Sequence, residues 1–457
     1  MPKTLLFFLA MTGSTIALGQ SKLKKNNSVK DWVSLASSLD SASFEKQINP
    51  ESYAITAVDW TKIEKWKQDK NIQGDSLFKM LSNWNFYSTP KQTGVICKFQ
   101  TQVDTNYTVP YFVYIPKNYN PAQKTILLVY YKGGWLSRKN FPKDYAKEIV
   151  TDNPTFSYLD DYNIIEIFPA LKNDLAIYGN YGYAHLSNMI TETRKRFNID
   201  DNKIFLSGFS DGGKTVYNVS YLTQTTFACF YPINGAIVSP PYFPNWLNRP
   251  VFSFVATKDE LTDYKSIRTK AAYANKIGAD WIYWELSGKG HFYFPYAKDI
   301  LTTLFTHMNV TSRNPLSKRL VYDRGFNDEA NFKGVDWLQI KVNTKKLPSR
   351  FHTTDTIQTF SGSGEERNYR YGENIGQARA ECFNNTYFIT TSQVDKVTIY
   401  ISPLMVNLDL PVRIVINEKE VFNARVDYEK EFMINNFMSN FDRAQIFVNK
   451  VEITVEE

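Results

Sequence analysis

Cysteine is scarce in this chain, with three among 457 residues, at Cys97, Cys229 and Cys382. So few thiols, so far apart, exclude a disulfide framework and a zinc cluster and leave room for one bridge at most. Cys229, inside the apolar run Phe227-Ala228-Cys229-Phe230, reads as a buried thiol. Long apolar runs are missing as well. No stretch reaches the roughly 18 uninterrupted apolar residues that a membrane-crossing helix needs, so no transmembrane segment is expected. A dominant charge is also lacking: charged residues make up 22%, both signs are mixed, and the net charge is +7. The one dense basic run, Lys22 to Lys25, lies near the N-terminus and reads as a solvated flank. Nucleic acid is therefore not an expected partner.

The apolar share of 43% and aromatic share of 15% exclude a disordered chain. Single cores stop growing at roughly 250 to 300 residues, so this length predicts two folded units. Residues 1–19 have the build of a secretory signal: Lys3, the apolar run Leu5 to Met11, and Ala17-Leu18-Gly19 as a small-x-small cleavage site. Export to the periplasm or the medium follows. No cysteine stands directly after that site, so a lipid anchor is not indicated.

Residues 20–95 read as a polar leader with short helices, for example Lys30 to Leu39 and Trp60 to Gln68. Over 96–310, short β-branched and aromatic runs alternate with amphipathic stretches, the pattern of βα units on a largely parallel sheet. Strands are expected at Tyr111 to Ile115, Ile126 to Tyr131, Asn163 to Phe168, Lys203 to Ser207, Val251 to Ala256 and Trp281 to Leu286, with a helix over His185 to Arg194. Thr311 to Lys318 turns polar and reads as a linker. Residues 311–457 carry alternating runs at Trp337 to Val342, Thr386 to Thr391, Val397 to Ile401, Val412 to Ile416, Val421 to Val426, Ala444 to Val448 and Val451 to Val455. With Asn417-Glu418-Lys419-Glu420 as a hairpin connection, they predict a small β-sandwich.

The chemistry concentrates where the strand Lys203 to Ser207 enters Gly208-Phe209-Ser210-Asp211-Gly212 and then a helix-forming stretch. A serine held on a sharp strand-to-helix turn is an exposed nucleophile, and the flanking glycines avoid clashes with neighbouring backbone. A hydroxyl attacks only when a base takes its proton, so a histidine must follow, preceded by a carboxylate that orients it. Of four histidines, His185 precedes Ser210, His307 sits in a helical pattern and His352 lies beyond the linker. His291 remains, in the Gly-flanked loop after the strand Trp281 to Leu286. Asp259, after the strand Val251 to Ala256, is the expected acid, with Glu260 and Asp263 as neighbouring alternatives. Two backbone amides should face the oxyanion of the tetrahedral intermediate. One belongs to Asp211; the other comes from Gly133, Gly134 or Trp135, after the strand Ile126 to Tyr131.

Together these residues resemble the α/β-hydrolase superfamily, in particular its secreted esterases and prolyl-oligopeptidase-like hydrolases. The resemblance spans about residues 106–305 and is carried most specifically by Asp201 to Gly213. Many members have histidine before the Gly-Gly pair; here it is Lys132, a side chain whose place is usually structural. The segment Val397 to Val412, with the later Glu420-Val421-Phe422, looks like the β-domain that follows some bacterial secreted hydrolases. The resemblance implies a mostly parallel sheet flanked by helices, plus a C-terminal sandwich-like domain. It further implies hydrolysis of a small-molecule or polymer-linked carboxylic ester, carbohydrate- or lipid-bound, through an acyl-enzyme and without metal or organic cofactor. A serine peptidase would use the same groups, and a hydrolase fold turned glycan-binding surface protein is the non-enzymatic reading. For the C-terminal domain, a purely supporting role stands beside a polysaccharide contact.

Overall fold

The computed structural model describes residues 27–50, 61–177, 179, 181–237, 242–326, 332–345, 350–351, 356–360, 366–370 and 374–456. The expected signal (1–19), the basic run Lys22 to Lys25 and His352 lie outside them. No helix among the described residues is long and apolar enough to cross a membrane.

Nine strands form one sheet: β1 (Asn49–Pro50), β2 (Val95–Asp104), β3 (Tyr107–Ile115), β4 (Thr125–Tyr131), β5 (Ile164–Pro169), β6 (Ile199–Phe209), β7 (Cys229–Ile233), β8 (Val251–Ala256) and β9 (Trp281–Leu286). Their order is β1-β2-β3-β5-β4-β6-β7-β8-β9. From β5 to β9 every pairing is parallel, while β2 and β3 run antiparallel at one side. Strands β5 and β8 are buried at every position, which is why they are apolar on both faces apart from Glu166 and Ser253. Side chains alternate between two cores. On β4, Leu127, Val129 and Tyr131 face the helices Gly182–Arg196, Asp211–Leu222 and Tyr264–Lys276, whereas Leu128 and Tyr130 face Asn27–Ser38, Tyr145–Thr151 and Ala297–Val310. This is the α/β-hydrolase arrangement. Its parallel strands deliver the loops after β4, β6, β8 and β9 to one edge, where ligands bind in such sheets.

Strand β7 has no counterpart in the sequence reading. Pro232 lies in it, opposite Gly208, and proline normally argues against an interior strand. The run around Cys229 is buried because it is this strand, and all three cysteines are buried and unpaired.

The second body holds a five-stranded and a four-stranded sheet. The first is built from β10 (Arg319–Gly325), β15 (Ile375–Phe383), β16 (Thr386–Ser392), β18 (Val412–Ile416) and β19 (Lys419–Ala424). The second contains β11 (Gly334–Val335), β12 (Leu338–Val342), β17 (Val394–Ile401) and β20 (Asn449–Thr454), and a separate hairpin pairs β13 (Thr356–Phe360) with β14 (Glu366–Arg370). Tyr322, Ala380 and Ile414 of the first sheet share one core with Leu338, Val397 and Ile399 of the second. The hairpin loop shrinks to Asn417 and Glu418, both with positive φ, so Lys419 and Glu420 belong to β19. Ala444 to Val448 is not a strand. Ile446, Phe447 and Val448 are buried in that core, so their apolar character reflects burial rather than pairing.

The N-terminal leader serves both bodies. Trp32, Ala36 and Phe44 pack under the nine-stranded sheet, whereas Ile63, Leu77, Leu81 and Trp84 complete the β-rich core. The stretch read as a linker is anchored too, through buried Arg313.

Candidate active site

Strand β6 ends at Phe209, the helix Asp211–Leu222 starts at Asp211, and Ser210 between them adopts φ 56° and ψ −115°. A side chain held there costs roughly 1–3 kcal/mol, which the surroundings must impose. They do so through close packing. A Cβ on Gly208 would stand 2.6 Å from the Gly212 carbonyl carbon, and one on Gly212 would overlap the Tyr131 carbonyl oxygen. The Ser210 amide donates to the Ile233 carbonyl at 3.0 Å, tying the turn to β7.

Ser210 Oγ lies 2.9 Å from His291 Nε2. On the other side of the ring, Nδ1 lies 2.9 and 2.8 Å from the two Asp259 oxygens. With Nδ1–H donating to that carboxylate, Nε2 is left to accept the serine proton. The Asp259 and His291 side chains are 0% and 3% exposed, so water competes little for this chain of bonds. Asp259 is itself held by the amides of Leu261 and Thr262, at 2.8 and 2.9 Å. Of the alternatives, Asp263 caps the helix Tyr264–Lys276 by accepting from the Lys265 amide, and Glu260 is exposed.

The other described histidines are engaged elsewhere. His185 is buried against the Thr101 hydroxyl, and burial pushes its imidazole down to about 3. His307 meets Tyr231 Oη at 2.7 Å and is likewise lowered by burial.

The loop after β4 reaches the serine. A Cβ on Gly133 would stand 3.0 Å from Ser210 Cβ, so only glycine allows this approach without displacement. Gly134 has φ +69°, and Trp135 is fully buried. The Leu136 amide donates to the Asp211 carboxylate at 3.2 Å, joining this loop to the first turn of the helix. The Asp211 amide is one of the first-turn donors that a helix leaves without an internal partner. Lys132 turns away and pairs with Glu148.

One bracing residue escaped the sequence reading. Buried Asn234, at the end of β7, donates through its side-chain amide to the His291 carbonyl at 2.6 Å and to Tyr296 Oη at 3.1 Å. Its side-chain oxygen accepts from the Ala256 amide at 2.9 Å, so it links the acid-bearing strand to the histidine loop. An Asn-Gly pair after an apolar run was the available signal, obscured because β7 itself was not recognised.

Under the site, Tyr130 and Tyr293 share a hydroxyl contact of 3.0 Å, close to the buried Glu166 of β5. Burial pushes the Glu166 carboxyl up to about 8, against hydrogen bonds from Thr155 and Asn153. Its folded pKa exceeds the unfolded value of about 4.3, so its stabilising contribution is complete below that pH and is lost as pH rises towards 8. Glu166→Gln should therefore flatten stability between pH 5 and 9, removing a fall on the order of 2–4 kcal/mol. Urea midpoints at the two pH values measure this, and parallel curves for both proteins would refute it.

Among the described residues, no group of three or more His, Cys, Asp or Glu side chains could hold a metal. Fold, elbow and the serine-histidine-aspartate contact together define an α/β-hydrolase architecture. No family model matches the chain. Over 84 residues it is 31% identical to the bifunctional acetylxylan esterase/xylanase XynS20E of Neocallimastix patriciarum, a stretch covering 18% of this chain and 12% of that protein. Similar solved structures include an S-formylglutathione hydrolase of Staphylococcus aureus, 12% identical over 47% of this chain and 98% of that one, with a TM-score of 0.37. Another is Thermogutta terrifontis esterase 2, at 15%, 49% and 97%, with a TM-score of 0.39. At these scores the structural likenesses carry no argument; the fold rests on strand order and connections.

Proposed function

We propose that this protein is an exported serine esterase that hydrolyses carboxylic esters through an acyl-enzyme. The observation that carries the reading is the continuous contact from Asp259 through His291 to Ser210 Oγ, on a turn whose serine is held away from ordinary backbone angles. In the reaction, Ser210 Oγ bonds to the acyl carbon as His291 takes its proton, and the amides of Asp211 and of the loop Gly133 to Trp135 hold the oxyanion. Collapse breaks the bond to the alcohol, which leaves with the proton from Nε2. Water, activated by the same nitrogen, then releases the acid. Support for an ester comes from the local likeness to an acetylxylan esterase, and support for export from the N-terminal pattern of residues 1–19.

A panel of p-nitrophenyl esters set against peptide anilides tests the bond cleaved. Ester turnover should exceed anilide turnover by at least about 100-fold in kcat/KM, a difference of roughly 2.7 kcal/mol in activation free energy. Strong anilide turnover with negligible ester turnover would replace this reading with a peptidase.

A further inference from the structure

Two aromatic rings beside His291 are left in solvent: Phe292 is 62% and Phe294 43% exposed. Exposed apolar side chains grouped beside a site mark a binding surface more often than ones scattered singly. They are not loosely held. Phe209, directly before Ser210, is buried and packs against His291, Phe292, Tyr293 and Phe294, with ring centroids 5.1, 6.3, 5.1 and 5.9 Å away. The pair is thus a firm surface attached to both the nucleophile turn and the histidine loop.

Its position relative to the chemistry identifies what it faces. In the esterase mechanism above, on which this inference rests, the carbonyl oxygen points to the amides of Asp211 and the loop Gly133 to Trp135. The leaving oxygen must lie within reach of His291 Nε2, because that nitrogen returns the proton. Groups that flank His291 therefore contact the alcohol rather than the acyl chain. Exposed Lys258, Glu260 and Lys289 gather at the loop before His291, where the Lys258 amide donates to the Lys289 carbonyl at 2.8 Å and a Cβ on Gly290 would stand 3.9 Å from Glu260 Oε2. A ring surface edged by charged hydrogen-bonding groups suits an alcohol with an apolar C–H face and hydroxyls around its edge. A lipid chain or a simple aryl alcohol would offer those groups no hydrogen bonds.

We propose that Phe292 and Phe294 form the stacking surface for the leaving-group sugar, which makes the substrate an O-acylated carbohydrate. Aromatic faces carry negative potential and attract the polarised C–H groups of a pyranose. The overall step balances: ester and water give acid and free sugar, with Ser210 and His291 restored.

The test compares acetylated xylobiose, ethyl acetate and p-nitrophenyl octanoate as substrates for wild type, Phe292→Ala, Phe294→Ala and Phe292→Trp. For either alanine variant, KM for the acetylated disaccharide should rise by about tenfold with kcat within about twofold, the mark of an interaction made equally in ground and transition states. Turnover of ethyl acetate should stay within about twofold of wild type, and Phe292→Trp should retain the sugar ester. Equal losses on sugar ester and ethyl acetate, no loss on the sugar ester, or a larger loss on the octanoate would each overturn the proposal. Fluorophosphonate labelling separates the two levels: a labelled, active wild type with unaffected alanine variants refutes only the sugar surface. A wild type that neither labels nor turns over any ester refutes the esterase reading beneath it.

Discussion

Replacing Ser210 with alanine should lower ester turnover by roughly 10⁴- to 10⁶-fold, leaving only what the oxyanion donors and binding supply. The hydroxyl is the atom that His291 Nε2 meets at 2.9 Å, and nothing else at the turn can form the acyl bond. His291→Ala should lose a similar factor, and the double variant little more, because the two groups act as a unit. Asp259→Asn should cost roughly 10⁴-fold, since an amide in place of the carboxylate favours the wrong imidazole tautomer. Folding should be preserved in Ser210→Ala, because alanine meets the same backbone constraint as serine there. Steady-state kinetics with a p-nitrophenyl ester and labelling by a fluorophosphonate measure both sides. Activity within tenfold of wild type, or labelling that persists in Ser210→Ala, would remove this residue from the mechanism.

The second large effect lies at the opposite end of β6. Asp442 is buried between Arg194, at 3.1 Å, and Arg313. Burial alone would raise its carboxyl, but the two guanidinium groups outweigh that and hold it below the usual range. Arg194 also meets Asp201 at 3.0 Å, and Arg443 meets Asp201 at 2.7 Å while donating to the Trp84 carbonyl at 3.1 Å. These groups join the start of β6, the N-terminal segment and the β-rich body. Asp442→Ala should destabilise the protein by roughly 3–5 kcal/mol, because it strands buried positive charge, a larger cost than the net worth of the pair. Asp442→Asn should fall between the two. Nine residue steps along β6 lead from Asp201 to Ser210, at most roughly 30 Å of extended chain, so kcat of the folded fraction should not change. Urea denaturation reads the stability, and a shift under about 1 kcal/mol would show that solvent or repacking relieves the arginines.

Much of the edge that carries the candidate site was legible because its signals are local. Ile126 to Tyr131 is a continuous apolar and aromatic run, Val251 to Ala256 and Trp281 to Leu286 are each interrupted once, by Ser253 and Glu285, and the loops after the three carry Gly133, Asp259 and His291. The glycines around Ser210 could be read because tight backbone contact admits little else. What escaped depends on partners distant in sequence. Strand β7 was hidden by Pro232, and β10 and β15 by polar residues on their outer faces. The helix Lys430–Asn440 was also missed, although Met433, Ile434 and Phe437 recur at helical spacing. The roles of Asn234 and Arg313 follow from what surrounds them in space, which no local pattern records.

The placement of residues 61–84 also constrains the order of assembly. Ile63, Leu77, Leu81 and Trp84 share a core with Phe437, Phe441 and Val448, and Lys430 Nζ donates to the Asp69 carbonyl at 2.6 Å. A ribosome delivering the chain from its N-terminus releases these early residues more than 300 positions before their partners. Closing so long a loop is slow, and until it closes the early helices lack the core partners they have in the folded protein. The β-rich core therefore cannot be completed until the last third of the chain has been delivered.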